Sequence, residues 1–217
     1  LVEPLVRRAK PEDVDFLVEA AIEADRSGGA RSSYASLFDL SPDETRSILK
    51  EALLLDVPGQ ELNVSGALVV ELNGNLVAST TGWVEGEDET LSMLAKAALL
   101  FSVLGPQRTQ AARPRLALLG ALTIPRLEGA IQLESIYVRQ EGRGRGFLAL
   151  LVSAHIAELG GRSTSGRAQI LLAGNNQRAL HAYHKLGFQV TTRRHSDEPK
   201  LRELLADDTR ILMERSL

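Results

Sequence analysis

Apolar residues at Val14, Leu17, Val18, Ala21 and Ile22 recur at helical spacing, so the chain from Lys10 onward predicts an amphipathic helix with one buried face. Pro11, Glu12 and Asp13 suit its first turn, where an N–H would be unpaired anyway and acids face the positive end of the dipole. Leu5–Ala9 reads as a short strand before it. Small polar residues from Ser27 to Ser36 predict a loop. Ser41-Pro42-Asp43-Glu44 is a capping box that opens a second helix running to about Asp56. The apolar runs Gly66–Leu72 and Leu76–Val84 flank Asn73-Gly74-Asn75, the signature of a tight antiparallel hairpin.

Farther along, Ala130–Val138 predicts a strand, Arg139–Gly146 a loop of glycine and arginine, and Phe147–Leu159 a helix stopped by Gly160-Gly161. Ala168–Ala173 is apolar without interruption, as in a strand covered on both faces. A helix from Asn175-Asn176 to Gly187 follows. Phe188–Arg193 and Arg210–Glu214 read as closing strands around a charged helical stretch. Between the hairpin and the third-quarter strand, residues 87–127 hold one clear helix, Thr90–Leu104, and then a stretch punctuated by Arg and Pro. That region is too small for a core of its own. The pattern therefore predicts one domain over 1–217 with a helical insertion at about 87–127, an α/β sandwich around a mixed sheet.

Composition narrows the possibilities. With 44% hydrophobic and 24% charged residues, the chain can bury a core and does not have the makeup of a disordered protein. A net charge of −3 gives no global field for nucleic acid or an anionic membrane. Cysteine is absent, which removes disulfides, thiolate metal sites and cysteine nucleophiles together. No apolar run reaches the length of a membrane span, and Leu1-Val2-Glu3-Pro4 lacks the features of a signal peptide. The expectation is a cytoplasmic protein with no nucleic-acid or membrane partner.

The chemistry is concentrated in Arg143-Gly144-Arg145-Gly146-Phe147-Leu148, between a predicted strand and a helix. A helix start offers unpaired N–H groups to a phosphate, glycines let the backbone come close, and arginines add forked donors. The loop lacks Gly-Lys-Ser/Thr, which argues against a P-loop. Val138 to Leu151 resembles motif A of the GNAT N-acetyltransferase superfamily: a strand ending in Val, a short turn, then Arg-x-x-Gly-x-Gly/Ala opening a helix. Leu148 stands where that pattern usually has Gly or Ala, and Gln140 where Pro is frequent. Asn176-Gln177-Arg178-Ala179-Leu180-His181-Ala182-Tyr183-His184-Lys185-Leu186-Gly187-Phe188 resembles motif B, with Asn-x-x-Ala, Tyr and Gly-Phe at the family spacing.

The resemblance implies a GNAT-like, mostly antiparallel mixed sheet flanked by helices. It also implies acetyl-CoA as co-substrate, no metal, and a small-molecule or peptide amine as acceptor. Backbone N–H groups from Arg143 through Gly144, Arg145, Gly146 and Phe147 to Leu148 would hold the pyrophosphate. The pantetheine arm would lie between the strands ending at Val138 and Ala173, along Ile136, Tyr137 and Val138 and beside Asn176 and Ala179. The Val138 N–H would polarise the thioester carbonyl and stabilise the oxyanion, and Tyr183 would protonate the departing thiolate. Glu134, four residues before Val138 and expected on the same strand face, is the candidate base for the amine.

Each of these residues also has a plainer reading. Tyr183 suits a helix's inner face, Asn176 a helix cap, Glu134 an ion pair, and Arg143 and Arg145 a solvated loop. His181 and His184 suggest no third metal ligand. The apolar face of Thr90–Leu104 fits core packing, an acceptor-pocket wall or the pairing of two copies. The acceptor site is expected from Ser27–Asp39 and the insertion, where Arg108, Arg113, Arg115 and Arg126 hint at an anionic acceptor. The alternative to an enzyme is a CoA-binding module of the same fold that has lost catalysis.

Overall fold

The computed structural model describes residues 3–217, so the reading of Leu1 and Val2 as part of a segment without signal-peptide character lies outside the described residues. Its strands are β1 (Leu5–Arg8), β2 (Ala67–Leu72), β3 (Asn75–Val84), β4 (Ile131–Val138), β5 (Arg167–Ala173), β6 (Gln189–His195) and β7 (Thr209–Ser216). Its helices are α1 (Val14–Arg26), α2 (Ser33–Phe38), α3 (Pro42–Leu54), α4 (Ser92–Leu118), α5 (Phe147–Leu159), α6 (Gln177–Lys185) and α7 (Leu201–Leu204). The strands form one seven-stranded sheet in the order β1-β2-β3-β4-β5-β7-β6. β4 and β5 are parallel, and every other neighbouring pair is antiparallel.

Local chemistry accounts for the turns. Asn73 and Gly74 take φ of 53° and 76°, the left-handed pair that a two-residue hairpin needs. Ser41 Oγ accepts from Glu44 N at 3.2 Å, while Ser41 N donates to Glu44 Oε2 at 2.9 Å. These reciprocal bonds satisfy two N–H groups that the start of α3 would otherwise strand.

Two layers cover the sheet. Leu17, Leu37, Leu49 and Leu100 from α1 to α4 share one buried cluster with Val69. Val152 of α5 and Tyr183 of α6 pack with Ile131, Leu133, Ile170 and Met213 on the other side. His155 of α5 is fully buried in this second layer. Its Nε2 lies 3.1 Å from the Thr80 carbonyl, so Nε2 carries the proton, and its Nδ1 has no partner among the described residues. Gly82 makes room for the ring: a Cβ there would stand 2.6 Å from Nδ1.

The structure corrects two sequence readings. The expected loop Ser27–Ser36 contains the start of α2, capped by Ser32 Oγ accepting from Ala35 N. The stretch after Leu104 is a second helical segment, not an irregular one. Gly105 (φ 75°, ψ 169°) breaks α4 into two arms, and Pro106 opens the second, where its missing N–H is harmless. Leu99, Leu100, Leu104 and Ala112 from the two arms join the α1–α3 cluster.

Candidate active site

β4 and β5 pair at two positions near their starts, Ile131 with Ala168 and Gln132 with Gln169. Beyond Gln132 the strands diverge, and the opening leads into a cavity of about 1230 Å³. Leu133–Val138 line one edge of the opening, Ile170–Ala173 the other, and Tyr183 reaches in from α6.

At the end of β4, Arg139 N donates to Val77 O at 2.8 Å. Antiparallel pairs alternate between bonded and non-bonded, so Val138, opposite Ala78, is in a non-bonded pair. Its N–H and C=O point away from β3, toward the opening. Arg143 Nε donates to that carbonyl at 3.2 Å, which leaves the N–H unpaired.

The following loop keeps donors in reserve. Gly142 N and Arg143 N donate to Arg139 O and Gln140 O. The N–H groups of Gly144 through Leu148 have no described backbone acceptor, because Gly144–Gly146 form a turn and Phe147 begins α5. Gly144 (φ 76°) and Gly146 (φ 81°) give the left-handed backbone that aims these groups together. Gly142 is packed instead: a Cβ there would meet Phe147 at 3.1 Å and Val138 at 3.2 Å. The donor row and the widened strand gap suit a pyrophosphate and an extended pantetheine arm in shape and polarity. Arg143, Gly144, Gly146, Phe147 and Leu148 line the cavity. Arg145 is not among its lining residues; its guanidinium sits 5.3 Å from the Phe147 ring centroid.

A bulge alters the expected geometry of Glu134. Thr81 faces Glu134 and Ser79 faces Tyr137, so two residues of β4 oppose Thr80 alone. Ser135 takes a positive φ of 49° at this point. The extra residue resets the alternation: Glu134 shares a face with Tyr137, while Val138 is on the other. The same-face reading of Glu134 and Val138 is therefore wrong, because it counted residues through a bulge. Glu134 lies on the α1–α4 side of the sheet and still lines the cavity.

Two half-buried ion pairs define that side. Arg126 donates Nη2 to Glu134 Oε1 at 2.8 Å and Nη1 to Gln132 Oε1 at 2.8 Å, and it stacks 5.3 Å from the Trp83 ring centroid. Lys96 and the Tyr34 hydroxyl both donate to Glu61 Oε1 at 2.6 Å. Gln60, buried and bonded through its amide to Val57 O, Leu62 O and Leu62 N, fixes the loop that carries Glu61. Burial pushes Glu61 up, but Lys96 and Tyr34 outweigh it and hold the carboxyl low. For Glu134, burial together with the neighbouring Glu61 charge outweighs Arg126 and leaves the carboxyl raised. Burial also raises Asp25 despite two bonds from Ser33. Tyr183 is raised by burial and then by Glu134.

The remaining sequence candidates divide clearly. Ile136, Tyr137, Val138, Asn176, Ala179 and Tyr183 all line the cavity. Asn176 caps α6 by accepting from Ala179 N at 3.1 Å and donates to Ser27 Oγ at 2.8 Å, so it ties α6 to the end of α1. The Tyr137 hydroxyl is spent on Glu19 at 2.9 Å. Of the four arginines read as an anionic-acceptor hint, Arg108, Arg113 and Arg115 are not among the cavity's lining residues, Arg108 pairing with Glu44 and Arg115 with Leu37 O, while Arg126 lines the cavity and is held by Glu134. Sequence reasoning missed Asp25, Glu61, Lys96 and Arg210, which line the cavity; none sits in a spaced motif that would mark it.

The arrangement was compared with known proteins. Residues 120–196, which contain both motifs, match the family described as FR47-like protein. An N-acetyltransferase from Staphylococcus aureus Mu50 has the same architecture, with a TM-score of 0.65 at 16% identity over 97% of this chain and 100% of that one. An acetyltransferase of the GNAT family from Streptococcus pneumoniae gives 0.51 at 17% identity, covering 99% of both chains. The chain has the fold of the GNAT acetyltransferases. A third structure, yncA from Salmonella typhimurium, was solved with its cofactor acetyl-CoA; it gives 0.53 at 16% identity over 100% of this chain and 95% of that one. A search of curated protein sequences returns no match. Among the described residues, no helix is long and apolar enough to cross a membrane.

Proposed function

We propose that this GNAT-fold chain is an acetyl-CoA-dependent N-acetyltransferase that acetylates a primary amine by direct attack. The observation that carries the reading is the β4–β5 opening, with the unpaired Val138 N–H on one edge, the donor row of Gly144–Leu148 at its mouth and Tyr183 above it. In this reading the loop N–H groups hold the pyrophosphate and the strand edges hold the pantetheine arm. The Val138 N–H polarises the thioester carbonyl. Glu134, raised toward neutrality by burial, takes a proton from the incoming ammonium so that the nitrogen attacks neutral. The new C–N bond forms as the C–S bond breaks. The nitrogen's remaining surplus proton reaches the sulfur with Tyr183 donating a hydrogen bond to the developing thiolate. No cysteine is available to carry an acyl group, which favours one-step transfer.

The test is calorimetric titration with acetyl-CoA and, separately, ATP, followed by thioester loss with a panel of amines. Saturable acetyl-CoA binding without ATP binding, together with amine-dependent thioester loss, is the expected result. Absence of acetyl-CoA binding overturns the reading. Binding without turnover on any amine makes the chain a CoA-binding module instead.

A further inference from the structure

The amine side of the cavity has a wall and a floor of different chemistry. Leu91, Met93 and Phe101, on the first arm of α4 and its N-cap, are 46%, 57% and 37% exposed, and all three line the cavity. Isolated exposed apolar residues are ordinary. Three from one helix arm facing one cavity form a patch that a ligand would cover.

The floor is charged and nearly balanced among its own groups. Glu61 holds Lys96, and Glu134 holds Arg126 through a single oxygen. Glu85 accepts from Trp83 Nε1 at 3.0 Å and Ser92 N at 2.8 Å. Arg210, on the same sheet face, lies in the field of Asp25, Asp207 and Glu134 and has no hydrogen-bond or ion-pair partner among the described residues. Arg126 takes only Oε1 of Glu134, so the second carboxylate oxygen can face an incoming ammonium.

We infer that the acceptor is a primary amine on an apolar body, its ammonium at Glu134 and its body against Leu91, Met93 and Phe101. This rests on the acetyltransferase reading and narrows its substrate class. A polyamine would set a second ammonium against the α4 wall, unpaired.

The test is equilibrium binding of phenethylamine, hexylamine, ethylamine and spermidine, measured with CoA present so that no turnover occurs. Each buried methylene is worth about fourfold in affinity, so hexylamine and phenethylamine should bind at least tenfold tighter than ethylamine. They should also bind at least tenfold tighter than spermidine. In the double variant Met93→Ser/Phe101→Ser, whose side chains are exposed and leave the core intact, the advantage of phenethylamine over ethylamine should fall at least fivefold. Equal or tighter binding of spermidine overturns the inference, as does an unchanged advantage in the variant or no binding of any amine. None of these results touches the acetyl-CoA titration. Failure there with apolar-amine selectivity intact would overturn the enzymatic reading alone.

Discussion

Tyr183 is buried, edge-on to Phe188 at 6.5 Å between ring centroids, and burial and Glu134 both raise its phenol. It therefore stays protonated throughout the neutral range and can donate a hydrogen bond whenever sulfur charge develops. A raised phenol is a poorer acid, so its contribution lies in stabilising the thiolate while the C–S bond breaks. That interaction exists in the transition state and not in the bound thioester. Tyr183→Phe should accordingly lower kcat by about 10²- to 10⁴-fold and leave the acetyl-CoA dissociation constant within twofold of wild type. Single-turnover kinetics beside calorimetry separates the two quantities. Equal losses in both would mean that the ring packs against the cofactor and does not assist chemistry.

At the scale of elements, the site depends on backbone conformations that only part of the sequence announces. The Asn73-Gly74 turn, the Ser41 capping box and both motifs are local devices, set by neighbouring residues, and so they could be read directly. Ser135 gave no such sign: its bulge arises where β3 and β4 must stay paired at both ends, and it moved Glu134 to the opposite face from Val138. The helix after Leu104 was not legible because the role of Pro106 at its start depends on Gly105 turning the chain first. The pairs Lys96–Glu61 and Arg126–Glu134 join distant segments, and no spacing encodes them. The phosphate loop belongs with the local devices, and its glycines make a sharp prediction. Gly146 sits at φ 81° with open space where a Cβ would be, so Gly146→Val strains the backbone without a clash, at a cost of about 1–2 kcal/mol. The relaxed loop would misaim its N–H groups. Acetyl-CoA affinity should drop tenfold or more while the circular-dichroism spectrum stays native. Gly160→Ala, at a helical φ of −58° with nothing near a Cβ, should change neither.

Across the whole molecule, the sheet must hold a cleft open on one side of β4 while staying closed on the other, and His155 is part of the closed side. Its ring bridges α5 to the Thr80 carbonyl, directly behind the bulge that shapes the cleft. Burial lowers its pKa to about 4, from an ordinary value of 6.5. The folded chain thus keeps the imidazole neutral over a range in which the unfolded chain takes up a proton. Where the unfolded state binds more protons, stability rises with pH. The contribution of His155 is therefore complete above pH 6.5 and is lost progressively as pH falls to about 4, a total of about 3 kcal/mol. Urea denaturation at a series of pH values should show the midpoint falling across this window. His155→Gln, which retains a donor for the Thr80 carbonyl and cannot titrate, should be less stable at pH 7 because its packing against Gly82 is poorer. Its stability should fall less steeply between pH 6.5 and 4. If wild type and variant decline in parallel, the imidazole is charged in the folded protein, and the sheet behind the cleft tolerates a buried cation.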